Sequence, residues 1–141
     1  MKKNQILLVE DNEGDIVLTS EAFEECDFKT DIQVARNGKE AITILFDEHN
    51  HSELPTLILL DINLPLLNGH EVLKKIKEND KTKHIPVAIL TTSSAVSDID
   101  LAYHNNANCF ITKPADINDF FETINSLGNF WFNTCKLPFS K

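Results

Sequence analysis

Apolar residues fall into short uninterrupted runs, separated by longer stretches in which they recur every three or four positions. The runs are Ile6-Leu7-Leu8-Val9, Leu57-Ile58-Leu59-Leu60, Val87-Ala88-Ile89-Leu90 and the shorter Cys109-Phe110-Ile111, whereas Ile32-Gln33-Val34-Ala35 alternates. Runs bounded by polar residues predict strands buried on both faces, and the alternating run suits an edge strand. Between them lie helical stripes: Leu18, Ala22 and Cys26 with Phe23; Ala41, Ile42 and Leu45; Val72, Leu73 and Ile76, with Lys74, Lys75, Lys77 and Glu78 facing out. A weaker stripe covers Val96 to Tyr103. The last opens at Asp116, an N-cap residue type, and carries Ile117, Phe120, Phe121, Ile124 and Leu127. Strand–helix alternation predicts a parallel sheet with helices on both faces. The predicted units use nearly the whole chain, with no linker, repeat or low-complexity tract, and leave no room for an output domain.

Composition narrows the class. The 141 residues suit one domain with a real core, and 42% hydrophobic with 25% charged residues is ordinary for a globular protein. No apolar run approaches the roughly 20 residues of a membrane span. Met1-Lys2-Lys3-Asn4-Gln5 leads into four apolar residues and then Glu10-Asp11, too short for a signal-peptide core, so a cytoplasmic location is expected. Cys26, Cys109 and Cys135 are odd in number and widely spaced, which argues for free thiols rather than disulfides or a zinc site. A net charge of −9 would repel phosphate backbones and argues against direct nucleic-acid binding. It does not identify a partner.

In a doubly wound parallel sheet, ligands bind beyond the carboxyl ends of the strands. The predicted strands are followed by Glu10 and Asp11, by Asp61, by Thr91 and Thr92, and by Thr112, Lys113 and Pro114. Three carboxylates brought together repel unless a cation intervenes, and oxygen-only ligands suit Mg²⁺. Lys113 would add positive charge, and Thr91 a hydrogen bond to a phosphoryl oxygen. Phosphoryl transfer requires mostly positioning and charge neutralisation, which such a set supplies. Taken singly, Glu10-Asp11 reads as a solvated helix-capping turn, Asp61 as structural, Lys113 as a surface charge and Thr91 as a strand-end hydroxyl. Their joint placement at strand ends favours the functional reading.

At these residues the chain resembles the response-regulator receiver family. The matching stretches are ILLVEDN (6–12), LILLDINLPLLNG (57–69), PVAILTTS (86–93) and CFITKP (109–114), and the resemblance spans about residues 5 to 127. It implies a flavodoxin-like, doubly wound five-stranded parallel sheet of order 2-1-3-4-5 with five flanking helices. It also implies a single-domain response regulator that takes a phosphoryl group from a sensor histidine kinase and relays the signal to a downstream protein by contact. Under it, Asp61 is the phosphoacceptor, Asp11 binds Mg²⁺ directly, Glu10 acts through water, and the Asn63 backbone carbonyl completes the metal set. Thr91 matches the switch hydroxyl, Phe110 the aromatic rotamer switch and Lys113 the family lysine, with a cis Lys113–Pro114 bond expected. Asn63 and Ser93 match positions that govern phosphoryl lifetime. Neither is a strong acid or base, so only slow self-dephosphorylation is expected and no enzyme activity beyond it. Asn68 replaces a frequent Asp before Gly69.

The segment Asn12-Glu13-Gly14-Asp15-Ile16, the pair Phe130-Trp131 and the later Leu137-Pro138 look like stand-alone receivers that pair with bacteriophytochrome-type kinases. Residues 1–127 are read as the receiver domain and 128–141 as an aromatic extension of it. The extension's Phe130, Trp131, Phe132 and Phe139 either cover the fold or form a homodimer contact with the last helix. Two other readings stand beside the first. A pseudo-receiver would lack an acid, the Thr or the Lys. An aspartyl-phosphate phosphatase would carry a DxDx[TV]-like loop and a cap domain, against Asp61-Ile62-Asn63-Leu64-Pro65 here.

Overall fold

A computed structural model describes residues 4–27, 29–47 and 53–138. The chain runs β1 (Asn4–Val9), α1 (Glu13–Glu24), β2 (Thr30–Ala35), α2 (Gly38–Phe46), β3 (Leu57–Leu60), α3 (Gly69–Glu78), β4 (Val87–Thr91), α4 (Val96–His104), β5 (Cys109–Thr112) and α5 (Ile117–Asn129). A π-helical turn, Phe130–Thr134, continues from α5. All strand pairings are parallel and the order is β2-β1-β3-β4-β5, as the resemblance implied.

Alternation along the strands builds two cores on one sheet. Leu7, Val9, Ile58, Leu60, Val87 and Ile89 face Ala41, Leu45, Val72, Leu73, Ile76 and Ala102 of α2, α3 and α4. Ile6, Leu8, Leu57, Leu59, Ala88 and Leu90 face Ile16, Ala22, Phe23, Phe120, Ile124 and Leu127 of α1 and α5. This is why the central strands read as unbroken apolar runs. Helix starts are set by side-chain caps: Asn12, Asn37, Asn68 and Asp116 each accept a backbone N–H from three residues on. Asn68 therefore does at its position what an Asp would do.

Some expectations shift. The buried stripe of α1 is Ile16, Thr19, Ala22 and Phe23, with Leu18 and Cys26 only partly covered. A threonine can occupy that stripe because its hydroxyl donates to the Asp15 carbonyl at 2.7 Å. Helix α5 runs past Leu127 to Asn129, and Trp131 and Phe132 pack against the α1/α5 core. Phe139 lies outside the described residues. No helix among the described residues is long and apolar enough to cross a membrane.

Candidate functional site

The parallel register brings three strand ends to one edge. The Glu10 N–H donates to the Ala35 carbonyl at 2.9 Å, and the Asp61 N–H to the Val9 carbonyl at 3.0 Å. These bonds set Glu10 and Asp61 side by side just past β1 and β3. Glu10, Asp11 and Asp61 each offer a carboxylate oxygen within 4.8 Å of the others. Glu10 and Asp61 are buried and Asp11 is exposed, so the cluster opens to solvent on the Asp11 side. The Asn63 N–H donates to Asp61 Oδ1 at 3.1 Å and orients that carboxylate. Behind it, Gly69 lies so close that a Cβ there would sit 2.2 Å from the Asp61 carbonyl oxygen.

Lys113 enters from β5. Its N–H donates to the Thr91 carbonyl at 2.7 Å, which extends the β4–β5 pairing by one residue. Its Nζ donates to Glu10 Oε1 at 2.5 Å, Asp15 Oδ2 at 2.8 Å and Asp61 Oδ2 at 3.0 Å. Burial pulls the Lys113 ammonium pKa down, but Asp15, Glu10 and Asp61 outweigh it and hold the group well above its usual range. Glu10 goes the other way. Burial drives its carboxyl up and Asp61 adds to that, so the bond from Lys113 does not hold it down and it reaches about 7.

The donor set fits a hard divalent cation. Glu10, Asp15 and Asp61 gather around one Lys113 ammonium, and Asp11 joins Glu10 and Asp61 on the solvent side. Burial, and after it the charge of Asp61, lifts Glu10 in spite of the Lys113 bond, so the one ammonium leaves the buried acids short of compensating charge. Carboxylate oxygens with one open, exposed side suit Mg²⁺, which keeps several waters.

Thr91 is fully buried at the end of β4. Its hydroxyl oxygen accepts from the Ser93 N–H at 3.4 Å. Phe110 is half-buried against the α2/α3/α4 core, and its N–H donates to the Tyr103 hydroxyl at 3.1 Å. One expectation is corrected: there is no cis peptide bond among the described residues, so Lys113–Pro114 is trans. Trans is the lower-energy isomer of an X–Pro bond by about 0.5–1 kcal/mol. Lys113 reaches both Thr91 and the carboxylates with it.

Sequence reasoning missed Asp15. It sits one helical turn beyond Asp11, in the first turn of α1. It also missed His70 and Asp98, whose side chains meet at 3.1 Å beside Ser93.

Comparison with known proteins gives the context for this geometry. A family model described as the response regulator receiver domain matches residues 6–125. The chain is 38% identical over 135 residues to response regulator Rcp1 of Synechocystis sp., covering 94% of this chain and 92% of that protein. It is similar to the crystal structure of the phosphorylated cyanobacterial phytochrome response regulator RcpA, with TM-score 0.93 and 39% identity over 97% of this chain and 99% of that one. The Mn²⁺-bound form of Rcp1 superposes with TM-score 0.90 at 38% identity, covering 96% and 99%.

Proposed function

Given that this chain belongs to the response regulator receiver family, we propose that Asp61 accepts a phosphoryl group from a sensor histidine kinase. The observation that carries this is the Asp61 carboxylate itself, buried at a sheet edge, 3.0 Å from Lys113 Nζ and within 4.8 Å of oxygens of Glu10 and Asp11. A carboxylate oxygen of Asp61 forms a bond to phosphorus as the donor's bond to phosphorus breaks. The Asn63 N–H holds the carboxylate's orientation, and Lys113 balances charge on the incoming oxygens. Glu10, Asp11, Asp61 and the Asn63 carbonyl would hold Mg²⁺, which when bound would neutralise the acids and the transferred group. The Mn²⁺-bound form of Rcp1 supports a divalent cation in such a fold. Thr91 then turns its hydroxyl toward the phosphoryl group, with Phe110 following, and the change is read by a downstream protein.

Acetyl phosphate or beryllofluoride with Mg²⁺ should modify the wild-type protein and leave Asp61→Asn unmodified. Equal labelling of Asp61→Asn would overturn the assignment. Relatives named for phytochrome response regulators support a phytochrome-type kinase as donor. Self-dephosphorylation is slow and acts in the cytoplasm, with Asn63 and Ser93 setting the lifetime. Residues 128–141 extend the receiver domain, and with α5 they form a homodimer contact. Phe130, 48% exposed and edge-on to Trp131 at 5.1 Å between ring centres, supports this. Sedimentation at tens of micromolar should show a dimer for wild type and a monomer for Phe130→Asp.

A further inference from the structure

Three side chains from three different segments form a string beside Thr91. Ser93 Oγ donates to Asp98 Oδ2 at 2.6 Å, and Asp98 Oδ1 lies 3.1 Å from His70 Nε2. Asp98 stands in the first turn of α4, and His70 is the second residue of α3. The bond from Ser93, and then that from His70, hold the Asp98 carboxyl below its usual range. It is therefore an ionised acceptor at neutral pH, and His70 Nε2 carries the proton it donates. The other ring nitrogen, Nδ1, is buried with no hydrogen-bond partner. Asp98 is thus the one polar group among the described residues that holds this imidazole.

Ser93 is held at every polar atom. Its N–H donates to Thr91 Oγ1, its carbonyl accepts from Thr112 Oγ1 at 3.1 Å, and its Oγ accepts from the Ala95 N–H at 3.3 Å while donating to Asp98. Ala95 offers α4 no side-chain cap, so Ser93 and Asp98 together organise that helix start. The Thr91 hydroxyl oxygen accepts from the N–H of the same Ser93 that the string ties to α3. Resting on the reading that Asp61 is phosphorylated and Thr91 then moves, we infer that His70 is a positioning residue. Acting through Asp98 and Ser93, it latches the β4–α4 loop in the unphosphorylated arrangement and so sets how readily the phosphorylated one is reached.

A ligand that favours the moved loop must displace this string, and its apparent affinity carries that cost. Removing the His70 donor lowers the cost. Hydrogen bonds to charged groups are among the stronger ones, but the Asp98 side chain is 31% exposed, so solvent competes. Beryllofluoride with Mg²⁺ should bind His70→Ala roughly three- to tenfold more tightly than wild type. His70→Phe, which keeps the bulk of the ring, should behave as His70→Ala does and guards against a cavity effect. His70→Gln, whose side-chain amide restores a donor near the Nε2 position, should return to wild-type affinity. Hydrogen exchange of the Thr92 and Ser93 amides without beryllofluoride should be faster in His70→Ala and His70→Phe, and unchanged in His70→Gln. Wild-type affinity in both His70→Ala and His70→Phe would overturn the latch and leave the phosphorylation reading intact. Failure of wild type itself to bind beryllofluoride would remove that reading and the latch with it.

Discussion

A carboxylate beside a lysine ammonium ordinarily titrates low, yet Glu10 is held at about 7 because burial outweighs the Lys113 bond and Asp61 adds repulsion. Its folded pKa thus lies above the unfolded value. The associated stability is fully present below about pH 4.5 and is lost as pH rises through about 7. Bound Mg²⁺ needs the ionised form, so binding releases a proton and tightens with rising pH. The thermal midpoint gained from millimolar Mg²⁺ should therefore be larger at about pH 8 than at about pH 5.5, and Glu10→Gln should flatten the difference. Equal gains at both pH values would contradict the assignment of Glu10 to the metal set. Glu10 and Asp61 were legible in the chain because each directly follows an apolar run. Asp15 was not, because its partner Lys113 lies 98 positions away and an acid in a first helical turn already has a local explanation. His70 and Asp98 escaped for the same reason: they read as the polar faces of two helices.

At the scale of elements, the β3–α3 loop does the most to shape the site. Gly69 donates its N–H to the Ile62 carbonyl at 2.8 Å and packs directly on the Asp61 backbone. Gly69→Ala should destabilise the fold by about 1–3 kcal/mol through overpacking. A urea midpoint would measure this, and beryllofluoride uptake should fall with it because the strain falls on Asp61. In the same loop Leu66 has φ of 69° and is 73% exposed. A left-handed leucine is strained, and exposure means that little packing is lost on replacement. Leu66→Asn should stabilise the protein by about 0.5–1 kcal/mol, read by the same denaturation. The order and number of elements were legible because continuous apolar runs and helical stripes have different periods. The finer rotation of α1 was not, since a hydroxyl satisfied by its own helix lets Thr19 take an apolar position. Nor was the end of α5, where a π-helical turn carries the aromatics on past Leu127.

Across the whole molecule, both cores share one sheet, so neither can melt without exposing the other. Opening is therefore expected to be cooperative. That bears on how the protein ages. Asn37-Gly38 and Asn68-Gly69 are the dipeptides most prone to deamidate, by attack of the glycine nitrogen on the asparagine side-chain carbonyl. In the folded chain both carbonyls are engaged as helix caps, accepting from Glu40 and Glu71 at 2.8 and 3.1 Å. The Gly69 nitrogen is also committed to Ile62. Succinimide formation should thus wait for unfolding, which makes the two sites a chemical record of time spent unfolded. Mass spectrometry after incubation should find the increment of about one dalton at Asn37 and Asn68 only in samples held near the melting midpoint. A sample kept folded for the same time should show neither, and equal increments in both would mean that the caps give no protection. An isoaspartate at residue 68 would lengthen the backbone where it presses on Asp61, so a chain that has unfolded for long enough would refold with a damaged acceptor.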